Sequence, residues 1–247
     1  MSINLNMLWV SASPALRFLD EPVLNYLSQY TAIARWEYHQ TVDEGGSSEV
    51  AVCLLLNIIK QNKRPIHLIG HGVGGVIALL FARRYPELVS SLTLLAVAVQ
   101  PANTWHAHYY QQRKLFSLSR QQVLLNTVYN LFREKLPCQS HRLVNIFSQD
   151  LDNIPLSHSL LQIEKISKGS VSMPLMVCGS KTDPIVSYPE LHGWREWLKP
   201  QDVIWECPQG SHFFHYFYPE KVADQVLKFW NYSAFNHHQA NNTKIQN

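Results

Sequence analysis

IHLIGHGVGGVIALLFARRYPELVSSLTLL, residues 66–95, is the stretch on which the reading of the chain turns. Ile66 to Ile69 is a short apolar run of strand type. Gly70, Gly72, Gly74 and Gly75 crowd the positions that follow, and Val73 to Arg84 is rich in small and branched apolar residues with no proline. This predicts a strand, a tight glycine turn and a helix packed directly behind it. Ser91 to Val99 is then almost continuously apolar. Continuous rather than alternating hydrophobicity marks a strand covered on both faces, as in a parallel sheet between helices.

The same unit recurs on either side. Upstream, Met7 to Val10 reads as a strand, and Asp20 with Pro22 opens an amphipathic stretch that runs to Tyr30. Thr31 to Tyr38 is β-branched and aromatic, Asp43 to Ser48 is a glycine-containing loop, and Val50 to Lys60 is helical with Ser47 or Ser48 as N-cap. Downstream, the alternation stops between Gln100 and Val171. Amphipathic segments near His108 to Phe116, Arg120 to Glu134 and Leu143 to Asp150 follow one another there without a strong strand. Leu175 to Cys178, a helical Pro189 to Leu198, Val203 to Glu206 and a helix over Pro219 to Trp230 then restore it. The expectation is an α/β fold with a mostly parallel sheet of six strands, its core formed by residues 7–99 and 171–230, with a helical cap inserted at 100–170. The polar, amide-rich stretch 231–247 is expected to be disordered.

Composition narrows the function. Of 247 residues, 46% are hydrophobic and 16% charged, which excludes a disordered chain, and a net charge of +3 lacks the basic footprint of a nucleic-acid binder. Cys53, Cys138, Cys178 and Cys207 are widely spaced with no CxxC pair, which fits a reducing, cytoplasmic setting. The N-terminal stretch lacks the basic and apolar regions of an export signal, and no apolar run reaches the ~20 residues of a transmembrane segment. A soluble protein is expected.

Gly70-His71-Gly72-Val73-Gly74, extended by Gly75 and trailed by YPELV at 85–89, resembles the nucleophile elbow of the α/β-hydrolase superfamily, Gly-x-Ser-x-Gly. Two downstream stretches strengthen the resemblance, which covers about residues 7–230. MVCGSKTDPIV (176–186) resembles the strand-then-acid segment, which implies Asp183 as the triad acid. QGSHFFHYFYPEKVADQVLKFW (209–230) resembles the histidine loop and last helix, which implies His212 as the triad base. LWVSASP (8–14) together with GHGVGG also resembles uncharacterised cyanobacterial members of the superfamily.

Two departures decide the chemistry. The serine position holds Gly72, and the first strand runs into Ser11, Ala12, Ser13 and Pro14 rather than the family's His-Gly pair. Removing the serine of such a triad costs about a millionfold in a model serine protease. A degenerate member, a pseudoenzyme without serine hydrolysis, is therefore expected. It would bind a small apolar or aromatic molecule, or a protein partner. The resemblance implies the Val73 N–H as one oxyanion donor, with Ser11 and Ala12 at the altered half of the hole. His71, Trp105, Tyr109 and Phe213 are the candidate ligand-binding residues.

Two alternatives stand beside this. His212 and Asp183 could work as a general-base dyad in a hydrolase or lyase, or the pocket could be filled by its own side chains in an assembly scaffold. A buried hydrogen-bonded pair tying two loops together is the plain structural explanation for Asp183 and His212. The pairs His106-x-His108 and His212-x-x-His215 have no completing carboxylate or cysteine nearby, so no metal and no cofactor is expected.

Overall fold

The computed structural model describes residues 5–39, 47–154 and 169–244, the last with side chains as far as residue 231. Six strands form one sheet: β1 (Met7–Ser11), β2 (Ile33–Glu37), β3 (Ile66–His71), β4 (Val89–Leu95), β5 (Leu175–Ser180) and β6 (Val203–Cys207). Their spatial order is β2-β1-β3-β4-β5-β6, and every neighbouring pair is parallel. Such pairing requires a crossover after each strand. These are α1 (Glu21–Leu27), α2 (Ser48–Ile59), α3 (Gly72–Arg84), the group α4 (Trp105–Leu115), α5 (Arg120–Leu131) and α6 (Ser140–Asn153), and the short α7 (Tyr188–His192). After β6 come a single turn, α8 (Phe214–Phe217), and the long α9 (Pro219–Lys244).

Burial explains the apolar runs. All five residues of β1 and all six of β5 are buried, whereas the edge strand β2 is half-buried throughout. Nearly the whole of α3 is buried as well, including Val73, Gly74, Gly75, Val76 and Ile77. It lies against the middle of the sheet, which is why its sequence lacks a polar face.

No strand occurs between β4 and β5 among the described residues; α4, α5 and α6 fill the interval. Their starts are set locally. Thr104 caps α4 by accepting from the Ala107 N–H at 3.2 Å, and Ser119 with Gln122 forms a reciprocal capping box on α5. The loop expected at Asp43 to Ser48 falls largely outside the described residues. One expectation is corrected: α9 continues through residue 231 to Lys244 rather than ending near Trp230. Residues 231–244 hold neither glycine nor proline, so a helix already nucleated and anchored by buried Val222, Ala223 and Val226 propagates at little cost.

Candidate active site

The β3–α3 turn has no linker. His71 is extended at φ −103°, and the next residue, Gly72, opens α3 with φ +51°. That left-handed conformation costs a residue with a side chain roughly 1–2 kcal/mol. The neighbouring glycines are needed for a different reason, which is close approach. A Cβ on Gly74 would lie 2.3 Å from the Val10 carbonyl oxygen, and one on Gly75 would lie 2.5 Å from a Val97 methyl. A Cβ on Gly72 meets nothing within 4 Å. Gly74→Ala is accordingly expected to cost about 3 kcal/mol in urea denaturation, because backbone must move. Gly72→Ala should cost only the conformational strain.

Two loops bring the other residues to this turn. Asp183 follows β5, and its Oδ1 accepts from the backbone N–H groups of Ile185 (2.8 Å) and Val186 (3.1 Å). His212 precedes α8, and its Nδ1 lies 3.0 Å from Asp183 Oδ2 and 3.2 Å from Oδ1. Both side chains are buried, at 2% and 0% exposure. An ionised carboxylate only accepts, so Nδ1 carries the hydrogen and Nε2 keeps its lone pair. This is the arrangement of an oriented base.

The loops themselves are tied to the segment after α5. Glu134 Oε1 accepts from the Gly210 N–H at 2.8 Å and from the Thr182 hydroxyl at 3.5 Å, so one carboxylate holds both the acid loop and the histidine loop. Gly210 and Ser211 carry positive φ of 107° and 50° in succession. The Ser211 N–H donates to Thr182 Oγ1 at 3.1 Å, which fixes that strained turn from the acid side.

Beneath His212 lies a second polar group, half-buried at His71 and fully buried at His215. His71 Nε2 donates to the His212 carbonyl at 3.0 Å, and its ring sits against Phe213 at 5.1 Å and His215 at 4.6 Å. Burial, with His215 and His212 close by, holds the His71 imidazole well below its ordinary pKa, so it is neutral. His215 Nε2 is 3.2 Å from Asp20 Oδ1, and Trp9 Nε1 donates to Asp20 Oδ2 at 2.9 Å. Burial pushes the Asp20 carboxyl up to about 7, against the opposing pull of Arg35 and Trp9. It pushes His215 down to about 3.

A cavity opens between the turn and the start of α4. Its walls include Gly72, Val73, Ser11, Ala12, His71, His212, Phe213 and Trp105, and also Ser13, Asp20 and His106. The centre of a water-sized molecule has about 30 Å³ in which to move, against the ~10–15 Å³ that one water needs. Of the residues anticipated from sequence, Asp183 and Tyr109 are missing from the walls: Asp183 stands behind His212, and Tyr109 is buried and sits edge-on to Tyr110 at 5.1 Å. Asp20 and Glu134 were not anticipated as site residues, and His106 was weighed only as half of an incomplete metal pair. Glu134 stands between Arg133 and Lys135, so no local signal marks it.

The sequence model described as the alpha/beta hydrolase fold matches residues 56–135. A solved alpha/beta hydrolase enzyme, MGS-M2 from a Medee basin deep-sea metagenome library, superposes with a TM-score of 0.74 at 17% identity, covering 94% of this chain and 91% of that one. The chain has the α/β-hydrolase fold. It is 54% identical to an uncharacterised protein of Nostoc sp. (strain PCC 7120), with 93% of this chain and 92% of that one covered. It is 40% identical to an uncharacterised protein of Synechocystis sp. (strain PCC 6803), with 91% and 89% covered. No helix among the described residues is long and apolar enough to cross a membrane.

Proposed function

We propose that this α/β-hydrolase-fold protein works without a serine nucleophile, and that His212, oriented by Asp183, acts as a general base on a water held over Gly72. The observation that carries the reading is the pairing of a buried dyad at 3.0 Å with open space where a side chain on residue 72 would stand. A dyad kept only as a tie between loops has no need of open space in front of it.

The chemistry follows from these groups. His212 Nε2 takes a proton from water as the water oxygen attacks an ester carbonyl, and the Val73 N–H at the open end of α3 stabilises the oxyanion. The proton then passes from the imidazolium to the departing alkoxide. The size of the cavity restricts its contents to a few atoms, so the acyl group that enters it is short. The helices α4–α6, read as a cap over residues 100–170, would cover the remainder of the substrate.

The test is hydrolysis of p-nitrophenyl acetate. Turnover is expected to be slow, unaffected by a fluorophosphonate, and reduced about 10²–10⁴-fold in His212→Ala. Absence of any His212-dependent turnover would overturn the general-base reading. Gly72 itself favours a second reading, binding of a small apolar molecule or a protein partner without chemistry. The same assay separates the two, since a pure binder shows no difference between the unmodified chain and His212→Ala.

A further inference from the structure

The cavity wall carries a second histidine–aspartate pair, formed by residues far apart in sequence. His106 lies in the first turn of α4 and Asp150 near the end of α6, and His106 Nε2 is 3.0 Å from Asp150 Oδ2. The hydroxyl of Ser13, just after β1, donates to the same oxygen at 3.0 Å. The two side chains are 1% and 0% exposed. Trp105 lies against the His106 ring, with centroids 4.0 Å apart, and fixes its orientation.

A tie between helices and sheet accounts for Asp150 Oδ2 alone. Two further polar atoms, His106 Nδ1 and Asp150 Oδ1, are buried with no hydrogen-bond partner among the described residues. Leaving such atoms unpaired costs the full desolvation penalty of each. Their character is the same. With Nε2 donating to the carboxylate, His106 Nδ1 presents a lone pair, and Asp150 Oδ1 is an acceptor too. His106 and Ser13 both line the cavity that His212, Gly72 and Val73 line.

We propose that His106, held by Asp150 and Ser13, is a ligand-recognition point in this cavity that accepts a hydrogen bond from a hydroxyl or amine hydrogen of a small alcohol or amine. The apolar walls, Val76, Val97 and Phe213 among them, take the carbon skeleton. The proposal rests on the reading of the cavity as a substrate site and names the class of compound that fits it. A carbonyl compound of the same shape has no hydrogen to give and leaves His106 Nδ1 unpaired, so the site discriminates against it.

Three probes with one skeleton test this: 2-propanol, 2-aminopropane and acetone. Each is titrated into the ¹⁵N-labelled full chain, and the imidazole nitrogens are followed by long-range proton–nitrogen correlation. A donor probe is expected to shift His106 Nδ1 and to bind at least fivefold tighter than acetone. His106→Phe should abolish that preference, while His106→Gln, which keeps both a donor and an acceptor, should restore part of it. Acetone binding as tightly as the donors, no binding by any probe, or donor binding that leaves His106 Nδ1 unmoved would each overturn the proposal. His212→Ala separates this proposal from the general-base reading. Ester turnover that is the same in the unmodified chain and in His212→Ala, with the donor preference intact in both proteins, removes the base and leaves the recognition point standing.

Discussion

Gly72→Ser is expected to react covalently with a fluorophosphonate probe that leaves the unmodified chain unlabelled. Such probes require an activated hydroxyl, and the parts that activate one are in place. The Asp183–His212 pair is hydrogen-bonded at 3.0 Å, with Nε2 left as the accepting nitrogen. A Cβ at residue 72 meets no neighbouring atom within 4 Å, so the new side chain enters without displacing anything. The backbone already has the conformation of a nucleophile turn, φ +51°, so only the strain of holding a serine there is added. That strain should lower stability by about 1–2 kcal/mol, which corresponds to a fall in Tm of roughly 2–8 °C for a chain of this size. Mass spectrometry of the labelled variant should place the adduct on residue 72. No labelling in a folded Gly72→Ser would favour a site whose oxyanion hole or dyad has decayed, Ser11 and Ala12 standing where the resemblance puts a His-Gly pair. Labelling of the unmodified chain at any serine would restore a serine-dependent hydrolase.

The inner strands β1, β3, β4 and β5 and the helix α3 were legible because burial on both faces leaves a near-continuous apolar run, whereas the half-buried edge strands β2 and β6 were legible only from their β-branched and aromatic content. The glycines were legible as a group, although only the structure separates their causes: Gly74 and Gly75 answer to the Val10 carbonyl and the Val97 methyl, Gly72 to its own φ. Asp183 and His212 could be read because each lies in a local stretch with its own signature. Asp150 could not, since its partners are His106, 44 positions away, and Ser13, 137 positions away. No spacing rule connects an α6 aspartate to a loop after β1. Asp20, which with Pro22 opens an amphipathic stretch in the sequence, makes no side-chain cap hydrogen bond on the helix that follows, and its oxygens turn to Trp9 and His215 instead. Local propensity yielded there to a tertiary contact. The helix beyond residue 231 was missed because amide-rich composition was weighted above the absence of any helix breaker.

Asp20 should make the stability of the protein depend on pH with a sign opposite to that of most carboxylates. In the folded chain its carboxyl titrates at about 7, against a starting value of 3.8. Between those values the folded state holds a proton that the unfolded state has released, so the contribution is fully present below 3.8 and is lost as pH rises through 7. His215, held down to about 3, and His67, held down to about 4, act in the other direction: their contributions are present above 6.5 and are lost as pH falls. The net profile of the unmodified chain therefore mixes opposing terms. Comparison with Asp20→Asn isolates one of them, because both histidines titrate in both proteins, and asparagine still offers an oxygen to Trp9 Nε1. Urea denaturation at pH 5 and pH 8 should show the unmodified chain gaining about 2–3 kcal/mol relative to Asp20→Asn at the lower pH. A difference that stays constant between the two would mean that Asp20 is already ionised at pH 5, with Arg35 and the Trp9 hydrogen bond outweighing burial. If the difference appears, the cavity lined by His212 also carries a protonated carboxyl at Asp20 through most of that range, a second group able to exchange a proton with a bound molecule.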